Sequence, residues 1–194
     1  MRFLLPDELE KNYIGYPNTV ALVSAFDLHH VANFMSVVWQ SQLSVVPPLH
    51  GVSISAKRYT HGLIRASQSF SVAFYSFERH DIYVIGGRLS GRDGDKTVAG
   101  GLEIMQGRLL DVPLIPGFYA AFECELYKTV PLGDHDLFVG LVKGIHIDES
   151  VFSRDGYTPL DTSPTLYMGA NRFITVDKDS LQKRTLEDLQ LKGS

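Results

Sequence analysis

Residues 119–147, YAAFECELYKTVPLGDHDLFVGLVKGIHI, constrain the fold more than any other stretch. Tyr119 to Val130 alternates well enough for a strand. Gly133-Asp134-His135 supplies a turn, since glycine and aspartate accept turn geometry readily. Asp136 to Ile147 then continues as a second long strand, and the two make a hairpin.

Shorter segments surround this hairpin. Thr19 to Ala25 is rich in β-branched and small residues and predicts a strand. A turn around Asp27 leads to a second, Val31 to Trp39. Pro47-Pro48 marks a break before a third, Gly51 to Ser55. Thr60 to Ser67 suits a short helix with Thr60 as its N-cap, and Phe70 to Tyr75 returns to strand. Ser76 to Leu89 fits helix and strand alike. Ser90 to Gly101 is a glycine-rich, charged loop with room for a short helix, and Thr165 to Met168 is a last short strand. Many short strands with regular turn signals point to an antiparallel barrel or sandwich, not a doubly wound sheet. Residues 1–18 form an arm and residues 19–172 one domain. Residues 173–194 make a polar, helix-prone tail with Leu181, Leu186 and Leu189 on one face, suited to pack on a partner or fray.

Composition narrows the function. Over 194 residues, 44% hydrophobic and 21% charged side chains suffice for a full core. A net charge of −4, without a basic stripe interleaved with aromatics, disfavours nucleic acid. No apolar run spans a bilayer, and the N-terminus lacks an apolar secretory core. The lone Cys124 excludes an internal disulfide framework and suits a small core residue. A cytoplasmic protein is the expectation. Neither common nucleotide-binding glycine motif occurs, nor a G-x-S-x-G elbow, nor any zinc-ligand spacing among the histidines.

Three stretches could carry chemistry. In VSISAKRYTHGLI, Val52 and Ile54 alternate with Ser53 and Ser55, and Arg58 and Thr60 follow where a helix begins. Hydroxyls, a cation and a helix N-terminus suit a phosphate; on residue types alone a capped turn with a solvated Lys57-Arg58 pair is the commoner arrangement. In NFMSVVWQSQLS, the Met35 to Trp39 run could offer backbone groups and flat apolar contacts to an aromatic ligand, or Met35 and Trp39 could fill core or interface. In Gly133-Asp134-His135-Asp136, the two aspartates would share a face with His135 opposite. That histidine could serve a ligand, or the stretch could be a polar turn. Glu123 and Glu125 alternate with Phe122 and Cys124, which predicts a solvated face or pairing to an arginine.

Together these pieces resemble a family. The order Tyr16-Pro17, Val20 to Ser24, Asn33 to Trp39, Pro47-Pro48-Leu49, Val52 to Ser55 and Arg58-Tyr59-Thr60 is similar to the flavin reductase-like, FMN-binding split-barrel proteins, near their flavoredoxin branch. So are Ser90-Gly91-Arg92-Asp93, Asp95-Lys96, Glu123-Cys124-Glu125 and Gly133 to Gly140. The resemblance covers roughly residues 16–172. It implies a mainly β, antiparallel Greek-key split barrel with a few short helices, forming a homodimer with FMN near the interface. Carried over by position, Ser36, Val37, Val38 and Trp39 would line the flavin. Ser53, Ile54, Ser55, Arg58, Tyr59 and Thr60 would hold the phosphate end. Ser90, Arg92 and Lys96 would approach the flavin, from this subunit or the other, and His135 would sit at the edge of the flavin or nicotinamide site.

The implied activity is an NAD(P)H-dependent flavin reductase passing hydride from nicotinamide to flavin N5, with an oxygenase or another electron acceptor served downstream. The alternatives are a bound-FMN electron carrier without nicotinamide activity and an oxidase of the pyridoxine-phosphate type. Three positions depart from the family: His29-His30 replace a turn glycine, Ala73 an asparagine and Thr97 a phenylalanine. They bear on substrate preference and turnover more than on FMN binding.

Overall fold

The computed structural model describes residues 13–152 and 161–180, together with Leu5. Its main sheet has seven antiparallel strands in the order β3-β2-β6-β9-β10-β5-β4. These are β2 (Ala21–Phe26), β3 (Ala32–Val37), β4 (Gln40–Ser44), β5 (Leu49–Ser55), β6 (Ser69–Phe74), β9 (Ala120–Leu132) and β10 (His135–Ile147). The two edge strands, β3 and β4, are consecutive in the chain and joined only by Val38-Trp39. A sheet whose opposite edges are two residues apart must curl on itself, and the split barrel follows. The Ser53 amide donates to the Trp39 carbonyl at 2.8 Å, pinning that corner to β5.

The 119–147 hairpin is present as β9 and β10, with ladder irregularities at Val139/Gly140 and Val142/Gly144. Such bulges bend long strands around a barrel. Inside, Val23, Val52, Ile54, Phe70 and Phe138 pack against Leu63 and Ile64 of α1 (Tyr59–Ser67). A second core lies outside the barrel wall, where Leu22 and Phe34 meet Ile82 and Tyr83 of α2 (Asp81–Arg88) and Leu114 of β8 (Pro113–Leu114). All six β2 residues are therefore buried, one face in each core. Each fully buried Ile or Phe contributes about 2 kcal/mol.

Ser76 to Leu89 resolves into a 3-10 turn at Phe77–Arg79 and then α2. The Ser90–Gly101 loop does contain a helix, α3 (Lys96–Gly100), whose cap Asp95 accepts from the Thr97 amide. A small sheet joins β1 (Asn18–Thr19), β11 (Leu166–Gly169) and β12 (Arg172–Ile174), and β7 (Met105–Gln106) pairs with β8. Phe173 and Ile174 thus belong to a sheet, so the expected boundary at residue 172 falls inside it. The leucines of the expected tail helix, and most of the N-terminal arm, lie outside the described residues.

Three local expectations are corrected. Thr60 is not the N-cap: Arg58 holds that position without a side-chain cap bond, and Thr60 is buried in the first turn. Glu123 is not on a solvated face. It is fully buried, and its carboxylate accepts from the Arg108, Leu109 and Leu110 amides (2.7, 2.8 and 2.7 Å) and contacts His146 Nε2 at 2.6 Å. Burial alone would raise its pKa, but these donors hold it below the usual carboxylate range. Only Glu125 stays exposed, paired with Lys143 at 3.4 Å. The two aspartates of the hairpin turn also part: Asp134 bonds His135, whereas Asp136 turns to His61.

Of the three departures from the family, His30 has a clear structural consequence. It adopts φ 60°, a left-handed conformation that favours glycine. Stacking on Phe26 at 3.9 Å and a 2.9 Å contact to Asp111 offset that cost. Among the described residues, no helix is long and apolar enough to cross a membrane.

Candidate functional site

A cavity of about 610 Å³ opens at the Leu49 end of the β5–β10 ladder. It is walled mainly by Phe122, Val142, Ile145 and Ile147; among the described residues that line it, the buried, neutral His50 is the only titratable side chain and there is no lysine or arginine. The chemistry gathers at the opposite end, where β5 finishes at Ser55 and α1 begins.

There a cavity of about 160 Å³ is lined by Ser36, Lys57, Arg58, Tyr59, Thr60, Ser90, Arg92 and Lys96, with Met35, Leu89 and glycines 86, 87 and 91. Four cations and no carboxylate line it. The helix behind it has no acidic residue in its first turn, although its N-terminus would favour one. A cluster of cations of that kind, at the positive end of a helix dipole, is suited to an anion.

Each cation is placed by a distinct tie. Arg58 follows Ser55, whose carbonyl accepts its amide at 2.9 Å. Arg92 donates to the Lys57 carbonyl at 2.8 Å and lies over the Tyr59 ring at 5.9 Å. This loop therefore packs on α1 of its own chain. Lys96 is buried, donating to the Phe34 carbonyl at 2.6 Å and the Gly86 carbonyl at 3.4 Å. Burial, then the Arg58 charge, bring its pKa down to about 8. Asn33 donates to Thr60 Oγ1 at 2.7 Å, while its own Oδ1 is buried without a partner.

A second half-site adjoins the first along β5. Ser55 pairs with His135 in the ladder, and Ser53 bonds Trp39. The Trp39 and His135 rings lie 4.8 Å apart, and Trp39 remains 53% exposed although its indole N–H reaches Tyr16 Oη at 3.2 Å. His135 Nδ1 is engaged by Asp134 at 2.8 Å. The arrangement offers a charged pocket at one end and a flat aromatic corner at the other. An elongated ligand with a phosphate at one end and a planar ring system at the other fits both.

Not every expected residue reaches the site with its side chain. Val37 and Ile54 point into the barrel core, so only their backbones can serve a ligand. Val38 lines a separate cavity against Tyr83 and Phe173. Thr97 gives its hydroxyl to Asp95 at 2.6 Å. Lys57, which the residue types leave unassigned, is exposed and also part of the lining. Asn33 and Gly91 were not identified as site residues; only the order of the motifs hinted at them. Among the described residues, no group of three or more His, Cys, Asp or Glu could hold a metal ion.

Comparison with known proteins adds independent findings. The model of the flavin reductase like domain matches residues 13–173. The structure is similar to the FMN-binding protein of Thermus thermophilus with bound 1-cyclohex-2-enone, at a TM-score of 0.83 and 35% identity, covering 94% of this chain and 98% of that one. It is also similar to the flavoredoxin of Methanosarcina acetivorans, at a TM-score of 0.81 and 27% identity, covering 92% and 94%. An uncharacterized protein of Aeropyrum pernix is 34% identical over 174 residues, 89% of this chain; the chain spans 64% of that relative's length.

Proposed function

The chain belongs to the flavin reductase-like domain family, and on that premise we propose that it is an FMN-binding oxidoreductase acting as an NAD(P)H-dependent flavin reductase. The observation that carries the flavin reading is the pocket of Lys57, Arg58, Arg92 and Lys96, which has no carboxylate among its described lining residues and lies at the end of β5 where Ser55 pairs with His135, the ring partner of Trp39. The donor set fits a phosphate monoester, because the exposed Lys57, Arg58 and Arg92, the buried Lys96 and a helix N-terminus complement a dianion.

FMN, when bound, supplies the hydride and electron chemistry. The chain's own residues bind and orient. Arg58 and Lys57 would hold the phosphate, with the Tyr59 and Thr60 amides of the first helical turn as further donors. Lys96, fixed on two carbonyls, adds a charge that does not move. Trp39 and His135, their rings inclined at 51°, would offer aromatic contact to the ring system, with the Asp134 bond setting the His135 ring. Ser53 and Ser55 lie between the two ends. The name of the Thermus thermophilus relative supports FMN as ligand, and the family's description supports reductase activity. The exposed Trp39 beside the polar edge strand β4 suits a homodimer, which is part of the proposal, as are a cytoplasmic setting and a downstream oxygenase or electron acceptor.

A second reading, a bound-FMN electron carrier without nicotinamide activity, is favoured by the flavoredoxin likeness. Anaerobic addition of NADH or NADPH to the FMN-loaded protein separates the two. Bleaching of the visible flavin band supports the reductase. No bleaching with either donor, with rapid reduction by a protein donor, supports the carrier.

A further inference from the structure

Resting on that flavin reading, we propose that the His61–Asp136 pair is a clasp that holds the turn 55–61 in its phosphate-binding form, making both residues positioning residues. His61 Nε2 lies 2.8 Å from Asp136 Oδ2, with side chains 8% and 19% exposed. The ring meets Phe138 edge-on at 5.0 Å. A pair shielded this way is screened far less than a surface pair.

Its place in the fold gives it the role. The turn leaves the sheet at Ser55, which is paired with His135. It ends in the first turn of α1 at His61. Asp136 is the next residue of the same strand, paired with Ile54. The clasp therefore ties the far end of the turn to β10, the ladder partner of the strand its near end left, and Arg58 lies between the two anchors. Locally the turn has only the backbone bonds from the Arg58 amide to the Ser55 carbonyl (2.9 Å) and from the His61 amide to the Arg58 carbonyl (3.2 Å), with a long 3.5 Å contact of the Lys57 amide to Ser55 Oγ, and Arg58 adds no side-chain cap bond. The other ties to the turn, Asn33–Thr60 and Arg92–Lys57, come from the β3 side and the 90–96 loop. The body of α1 is held separately by Leu63 and Ile64 in the core. Opening the clasp thus loosens the turn while the helix stays docked.

The test is the ratio of FMN to riboflavin dissociation constants, measured by equilibrium titration on apoprotein whose fold is checked by circular dichroism. Asp136→Ala should weaken FMN by about tenfold and riboflavin by much less. Asp136→Asn, which keeps an acceptor, should restore most of the difference. His61→Leu should behave as Asp136→Ala and His61→Gln as Asp136→Asn; this pair decides the matter if Asp136→Ala does not fold. An unchanged ratio in both Asp136→Ala and His61→Leu, with Arg58→Ala still lowering FMN selectively, overturns the clasp and leaves the flavin reading intact. No selective loss in Arg58→Ala itself overturns the flavin phosphate reading beneath it.

Discussion

The Lys96 ammonium lies 2.6 Å from the Phe34 carbonyl and 5.4 Å from the centre of the Phe34 ring. It is buried at the edge of an anion pocket, so its charge state couples folding to ligand binding. Its pKa is lowered from 10.5 to about 8, by burial first and the Arg58 charge second. Between these two values the unfolded chain binds more protons than the folded one. Lys96 therefore makes stability rise with pH across that window, as the buried charge is discharged. FMN affinity should move the other way. A phosphate favours the ammonium form, so above about pH 8 binding must take a proton back and weakens. Thermal melts and FMN titrations from pH 7 to 10 should show both trends. Lys96→Met should remove them; their survival in that variant would exclude Lys96 as the cause.

Trp39 is the only tryptophan, so its fluorescence reports one place. FMN titration should quench it saturably, with the same midpoint as the change in flavin absorbance. An unquenched signal at full occupancy would place the ring system elsewhere. His135→Ala, which leaves the indole but removes its neighbour, should slow flavin reduction by less than about tenfold, since an acid–base role contributes more.

Gly91 matters for space. A methyl there would press on Asn33 Oδ1 and come within 2.6 Å of Tyr59 Cδ1. Gly91→Ala should therefore push Tyr59 off the pocket wall. We expect a stability cost of about 1–3 kcal/mol by thermal or urea unfolding, together with weaker FMN binding. Wild-type affinity in this variant would show that the wall tolerates displacement.

Much of the fold was legible because its signals are local. The long hairpin announced itself by length and by Gly133, and β2 by its β-branched run. Strand β4 was missed because QSQLS is a largely exposed edge, where no core imposes alternation. The helix α2 was ambiguous because DIYVIGGR carries β-branched residues and two glycines. Tertiary packing decides it, for a side chain at Gly86 would come within 2.8 Å of Ser36 Oγ and 2.9 Å of Leu22 Cδ1. Glu123 alternated as a solvated residue should, yet the 107–110 segment folds over it, a contact no periodicity encodes. At the site, Arg58 and Thr60 followed from the helix junction, whereas Tyr59 came with the order of the motifs. Ser90, Arg92 and Lys96 required the order of motifs, because a loop some thirty residues away in the chain completes the pocket.

The central claim is that the pocket at the start of α1 holds the phosphate of FMN. Dissociation constants of FMN and riboflavin, measured side by side for the wild type and Arg58→Ala, test it most directly. The account predicts that Arg58→Ala weakens FMN by about tenfold or more while riboflavin binding changes little, because the lost contact is a charge-assisted bond to phosphate. Equal loss for both ligands, or a colourless wild-type protein that takes up no FMN, would contradict it.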